Sequence, residues 1–257
     1  MKKRRNILAV FVSLLLCAVC VVPFFYVLVT AALRDGQLSL QAYYEVFLGK
    51  TEFLLRFWKS LFLSLCIAAV QVVISTLAGY GFAKFRFPGK NGLFFILMCI
   101  MILPLQVTLM PNYLILEGMG LMGTYLSLAL PAIFVPLGTF IMTQSFKAVP
   151  DSVVEAARLD GCGTLGMIPR ILLPVNSSGF LCVALLSFVD AWNMVEQPLS
   201  YLEEFSQYPI SVALAAVSPA EPTVLLACCV LVTLPALCFF LVFNRELSEG
   251  ISVGGDK

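Results

Sequence analysis

The chain alternates between long apolar windows and short polar segments. Six windows contain no Asp, Glu, Lys or Arg: Ile7–Leu33, Ser60–Ala83, Gly92–Leu116, Gly118–Phe146, Ile171–Val189 and Pro222–Asn244. A helix needs about 20 residues to cross ~30 Å of hydrocarbon, and every window is close to that length or longer. In lipid a helix satisfies its own backbone hydrogen bonds, which an open strand or loop cannot do. The pattern predicts an all-α polytopic membrane protein, one transmembrane domain over 1–257. Its six spans are expected near 7–33, 60–83, 92–113, 124–146, 171–191 and 222–244, with an inner loop at 147–170. The connections at about 34–59 and 190–221 are too short to bury a core of their own.

Composition agrees. Of 257 residues 60% are hydrophobic and 12% charged, about half the ~25% charged of a soluble domain. The opening MKKRR followed by an apolar run resembles a signal peptide. The run lasts 27 residues, beyond the usual apolar region of about 7–15, so it is expected to stay as the first helix. With the N-terminus inside, segments 1–6, 84–91, 147–170 and 245–257 hold twelve of the sixteen basic residues. The positive-inside rule then makes both termini cytoplasmic. The formal net charge is only +1, and the expected surroundings are membrane lipid, with no nucleic acid.

Candidate chemistry is sparse. Histidine is absent, which removes the commonest general base and metal ligand. Of nine cysteines, eight fall in apolar windows, where a thiol behaves as a small hydrophobe; Cys162 alone lies in a loop. Gly49-Lys50-Thr51 looks like the end of a phosphate loop, but Tyr44 stands where that loop needs a glycine. No catalytic residue, metal or cofactor is expected on this chain. Polar residues at membrane depth (Gln71, Ser75 and Thr76; Gln106, Thr108 and Asn112) fit either interhelical hydrogen bonding or a translocation path. Prolines at 23, 104, 111, 131, 136 and 235 fit kinks around a cavity or kinks without function.

The inner loop is the most informative segment. KAVPDSVVEAARLDGCG predicts a short helix opened by a Ser152–Glu155 capping box, with Asp151 favoured by the helix dipole and Gly161 as the C-terminal stop. Two turns of helix are marginal alone, so something must hold them. The spacing places Val153, Ala156, Ala157 and Asp160 on one face, small enough for a groove to close around. Spacing alone fits both a docking helix and a linker whose charges are simply solvated.

The stretch Val149-Pro150, Glu155-Ala156-Ala157-Arg158-Leu159-Asp160-Gly161 and Ile171-Leu172-Leu173-Pro174 resembles the EAA loop of ABC-importer permease subunits. Leu77 to Asn91, Gln106, Pro111-Asn112-Tyr113, Gly120-Leu121, Trp192-Asn193 and the tail Gly250 to Lys257 are similar to the carbohydrate group of the maltose-type second permease. The resemblance implies a type I ABC importer permease fold and a transport subunit rather than an enzyme. It implies partners: a second permease subunit in a heterodimer, ABC ATPase subunits that bind ATP and magnesium, and an extracytoplasmic solute-binding protein. The expected location is the bacterial cytoplasmic membrane. Glu155, Ala156, Ala157, Asp160 and Gly161 would couple to the ATPase, and Gly254 and Gly255 would reach its interface. At the outer end of the fifth span, Asp190, Trp192, Asn193, Glu196 and Gln197 form a candidate substrate path. Met194 departs from the acidic residue that many members carry there. Tryptophan at an interface also serves as a membrane anchor, so that cluster fits both roles.

Overall fold

Apolar side chains without internal charge favour helices that bury or lipid-face every surface, and helices dominate the computed structural model, which describes residues 2–34, 37–46, 51–214 and 222–252. Helix α1 spans Lys2–Ala31. A two-residue antiparallel ladder follows, Leu33 opposite Leu38 and Arg34 opposite Gln37, then a single turn, α2 (Gln41–Tyr44). Helix α3 (Thr51–Lys84) is 34 residues long, about 51 Å at 1.5 Å per residue. It begins nine residues before the charge-free window, because Glu52, Arg56 and Lys59 still suit a helix once they lie beyond the hydrocarbon. Helices α4 (Lys90–Ile102) and α5 (Leu105–Gly118) come next, then α6 (Tyr125–Ile133) and α7 (Pro136–Ala148). The inner loop contains α8 (Asp151–Leu159) and α9 (Thr164–Met167). A wide π turn at Ile168–Leu172 and a short α10 (Leu173–Val175) lead into α11 (Ser177–Trp192). The chain then makes α12 (Glu196–Tyr201), α13 (Ile210–Ala213) and α14 (Pro222–Ser252).

Among the described residues four helical stretches are long and apolar enough to cross a membrane, or up to six if each bent pair counts as one span. Both bends interrupt spans expected as single crossings, at 92–113 and 171–191; the first falls at Pro104, one of the expected kink positions. Helices α4 and α5 meet at 105°. Leu103 is extended (φ −65°, ψ 129°) ahead of Pro104, as proline ring sterics require of the preceding residue. The segment Ile168–Val175 meets α11 at 88°. Pro169 and Pro174 remove backbone donors there, and the turn closes at Asn176, whose backbone N–H donates to the Leu172 carbonyl at 3.0 Å.

The centre of the bundle is α3, lying against α7 and α11, with α14 on the far side of α11 and α1 against α14. Small residues permit the closest approaches, as expected where van der Waals contact drives helix association in lipid. A Cβ on Gly79 would lie 2.5 Å from Met142 Cβ on α7. One on Gly138 would strike the Ser75 hydroxyl of α3, and one on Gly179 the Ser145 hydroxyl of α7. Part of the polarity at membrane depth thus serves packing: Ser75 is buried beside Gly138.

Candidate coupling helix and cavity

Helix α8 sits at the end of the bundle where α3 and α7 finish. Pro150 occupies its N-cap position, φ −58° and ψ 140°, without a side-chain cap. The expected Ser152–Glu155 box is therefore corrected: with Pro150 at the N-cap the helix starts two residues earlier, leaving Ser152 inside it. Asp151 is used differently. Lys84, the last residue of α3, donates from Nζ to Asp151 Oδ1 at 2.6 Å and to the Val149 carbonyl at 2.7 Å. The Lys84 side chain is 6% exposed and that of Asp151 77%. The Lys84 hydrogen bond and charge hold the Asp151 carboxyl below the usual carboxylate range, with Arg86 adding to the effect.

Val154 and Ala157 turn inward, into a cluster with Tyr80, Phe146, Met167 and Ile168. Fully burying a valine contributes about 1.5–3 kcal/mol, so this anchorage accounts for a nine-residue helix that would be marginal alone. It also corrects the expected outward face: Ala157 is buried, whereas Glu155, Ala156, Leu159 and Asp160 are exposed, Leu159 at 89%. Together with Ser152 they form a stripe at spacings of three and four. The phase of so short a helix was not legible because alanines fit either side. No ion pair joins Glu155 to a described residue.

Gly161 ends the helix as expected, at φ +79°. Its N–H donates to the Arg158 carbonyl at 3.0 Å, and the Cys162 N–H to the Ala157 carbonyl at 2.9 Å, the paired bonds of a Schellman cap. Nothing lies within 4 Å of a Cβ built there, so a side chain meets conformational strain rather than a clash. Gly161→Val is expected to cost about 1–2 kcal/mol and Gly161→Asn distinctly less, because asparagine visits the left-handed region more readily. Thermal midpoints of the purified variants check this; equal midpoints for valine and glycine would refute it.

A cavity of about 1160 Å³ lies between α3, α4, α5, α6, α7 and α11. Its wall is mostly aliphatic, interrupted by Gln71, Asn112, Asp190, Asn193 and Gln197, and by the hydroxyls of Thr108, Thr139 and Ser187. Asp190 is the one charged group among the described residues that line it. Gln71 is 5% exposed, and no hydrogen bond joins its amide to a described residue. Of the five outer residues expected together, Asp190, Asn193 and Gln197 meet here.

Glu196 stands apart from the cavity lining, accepting from Gln106 Nε2 at 2.9 and 3.2 Å, a link between α12 and α5. Trp192 is corrected: it is 2% exposed and faces away from the cavity. Its Nε1–H donates to the Val232 carbonyl of α14 at 3.1 Å. Its ring stacks on Phe188, which stacks on Phe239 at 4.5 Å. Trp192 thus fastens α14 to α11. Gly254 and Gly255 lie outside the described residues.

Four to six apolar stretches of membrane-spanning length, a partly polar cavity among several of them and an anchored helix exposed at one end define the class: a multi-pass membrane transport permease. The family described as binding-protein-dependent transport system inner membrane component matches residues 71–245, and the chain belongs to it. An arabino-oligosaccharide transport permease of Halalkalibacterium halodurans is 27% identical over 232 residues, covering 89% of this chain and 83% of that one. A polygalacturonan/rhamnogalacturonan transport permease of Bacillus subtilis is 26% identical over 292 residues, covering 100% of both. An sn-glycerol-3-phosphate transport permease of Yersinia pestis is 24% identical, covering 79% of this chain and 74% of its own. The fold resembles that of a bacterial ABC transporter involved in import of the acidic polysaccharide alginate, with a TM-score of 0.77, 19% identity, and coverage of 95% and 97%.

Proposed function

We propose that this chain is one half of the translocation pore of an ATP-driven carbohydrate importer in the bacterial cytoplasmic membrane. It pairs with a second permease subunit and receives solute from an extracytoplasmic binding protein. ATP and magnesium belong to separate ATPase subunits, and both termini and α8 face the cytoplasm. The observation that carries this reading is the exposed stripe Glu155, Ala156, Leu159 and Asp160 on a helix whose other face is anchored. A surface of small, acidic and apolar side chains held rigidly suits a groove on a moving partner, and ATP-driven closure of that partner would displace α8. Polysaccharide and oligosaccharide permeases among the relatives support a sugar as cargo, and the amides and hydroxyls of the cavity suit hydroxyl groups.

The test is affinity co-purification from the native membrane in mild detergent. An ATPase and a second permease are expected to accompany the chain. ATP hydrolysis by the recovered complex should then rise when the cognate binding protein loaded with a neutral oligosaccharide is added. Recovery of the chain alone under several detergents would remove the coupling assignment.

A further inference from the structure

We infer that Lys84 is the positioning residue that ties α8 to α3, so that displacement of α8 is delivered directly to one wall of the cavity. The inference rests on the coupling role proposed for α8. Covalently, α8 is joined to α7 through Val149-Pro150 and toward α11 through the bent 160–176 segment; α3 has no such connection. Lys84 reaches α8 from 67 residues away in sequence. Among the described residues, its two hydrogen bonds are the ones that join α3 to the start of α8.

The geometry suits a rigid link. Nζ grips both sides of Pro150, taking the Val149 carbonyl and the Asp151 carboxylate. The first intrahelical bond of α8 uses the Pro150 carbonyl, accepted from the Val153 N–H, so the Val149 carbonyl is left for Lys84. The ammonium is buried, and the chain around Pro150 has little freedom to rotate away. At the other end of the lever, α3 carries Ile67, Gln71 and Ile74 into the cavity wall. Gln71 lies 13 residues up a continuous helix, about 20 Å from Lys84. Met142 and Thr143 of α7 press against Gly79 between the two points, so α3 transmits an axial or tilting push without kinking. A hydrogen bond to a charged group is directional, so Lys84 fixes the register of α8 on α3 in addition to the apolar anchorage of Val154 and Ala157 beside Tyr80.

A merely structural Lys84 would change assembly and stability together; a positioning Lys84 changes the number of sugar molecules imported per ATP hydrolysed. The experiment reconstitutes the co-purified complex in liposomes with wild type, Lys84→Met, Lys84→Arg and Asp151→Ala. It uses the binding protein loaded with the oligosaccharide that stimulates ATPase most. Lys84→Met is expected to keep ATPase recruitment, since the exposed stripe is untouched, while import per ATP falls by about 2- to 30-fold, the range by which residues along a coupling route change it. Lys84→Arg, which keeps the donors, should restore import per ATP to within about twofold. If Lys84→Met fails to accumulate, Asp151→Ala decides, because that side chain is exposed and its loss spares the fold; a lowered ratio supports the link and an unchanged one overturns it. A wild-type ratio in Lys84→Met overturns the role of Lys84 alone. Absence of any ATPase with the wild-type chain overturns the coupling reading itself, and this inference with it.

Discussion

Glu155→Lys is expected to abolish ATP-driven uptake while membrane insertion stays normal. The structure removes the ordinary reason for Glu155 to matter within this chain. It caps nothing, its side chain is exposed, and no ion pair joins it to a described residue. Substitutions at such surface sites usually change stability by no more than about 0.5 kcal/mol. A large effect must therefore arise against a partner. Disrupting a buried, hydrogen-bonded charge at an interface costs about 2–5 kcal/mol, which is about 30- to several thousand-fold in affinity. The measurement is ATPase recovered per permease, alongside uptake in whole cells. Glu155→Gln should lie between the two, since it removes the charge without reversing it. Normal recruitment and uptake in Glu155→Lys would show that the exposed face of α8 meets nothing charged, and docking would have to be sought elsewhere.

Gly79→Val should have the largest effect on folding. A Cβ at this position lies 2.5 Å from Met142 Cβ, 2.9 Å from the Met142 backbone carbon and 3.0 Å from the Thr143 nitrogen. Two of these are backbone atoms, so no rotamer change relieves the clash and α7 itself must retreat. Overpacking of a well-filled interior typically costs about 1–3 kcal/mol, and a backbone clash belongs at the upper end or beyond. The retreat would also loosen Met142 and Phe146, which line the cluster beneath α8, so coupling should fail along with stability. Gly81, two residues further on, is the internal control: nothing lies within 4 Å of its built Cβ. Gly81→Ala should be tolerated and even gain up to about 1 kcal/mol of helix propensity. The check is the yield of monodisperse protein and its thermal midpoint in detergent. A Gly79→Val protein that accumulates and melts like wild type would contradict the close approach of α3 and α7.

Much of α8 could be read from residue order because its signals are local. Gly161 after Leu159-Asp160 is a stop whose φ follows from glycine lacking a Cβ, and the helix ends there. The facing of α8 could not be read. Val153, Val154, Ala156 and Ala157 leave several phases of a two-turn helix nearly equal in apolar content, and the cluster under Tyr80 and Phe146 selects one. Lys84 was visible only as a basic residue ending an apolar span, a position that many cytoplasmic lysines occupy. Its partners lie 65 and 67 residues away, and no local pattern encodes that pairing.

The amino-acid sequence by itself determined that this chain is a helical membrane protein of about six apolar crossings, and where its exposed inner helix ends. Those properties follow from hydrocarbon thickness, the self-sufficiency of helical hydrogen bonding and glycine geometry, each acting over a few to about 20 residues. Tertiary structure alone decided the 105° and 88° bends, because proline marks where a helix can break while packing sets the angle. It decided, too, that Trp192 fastens α14 while Asp190 and Asn193, close by on the same helix end, meet the cavity. Neighbouring positions on a helix point about 100° apart, and only the packed neighbours determine which direction is the wall of a cavity.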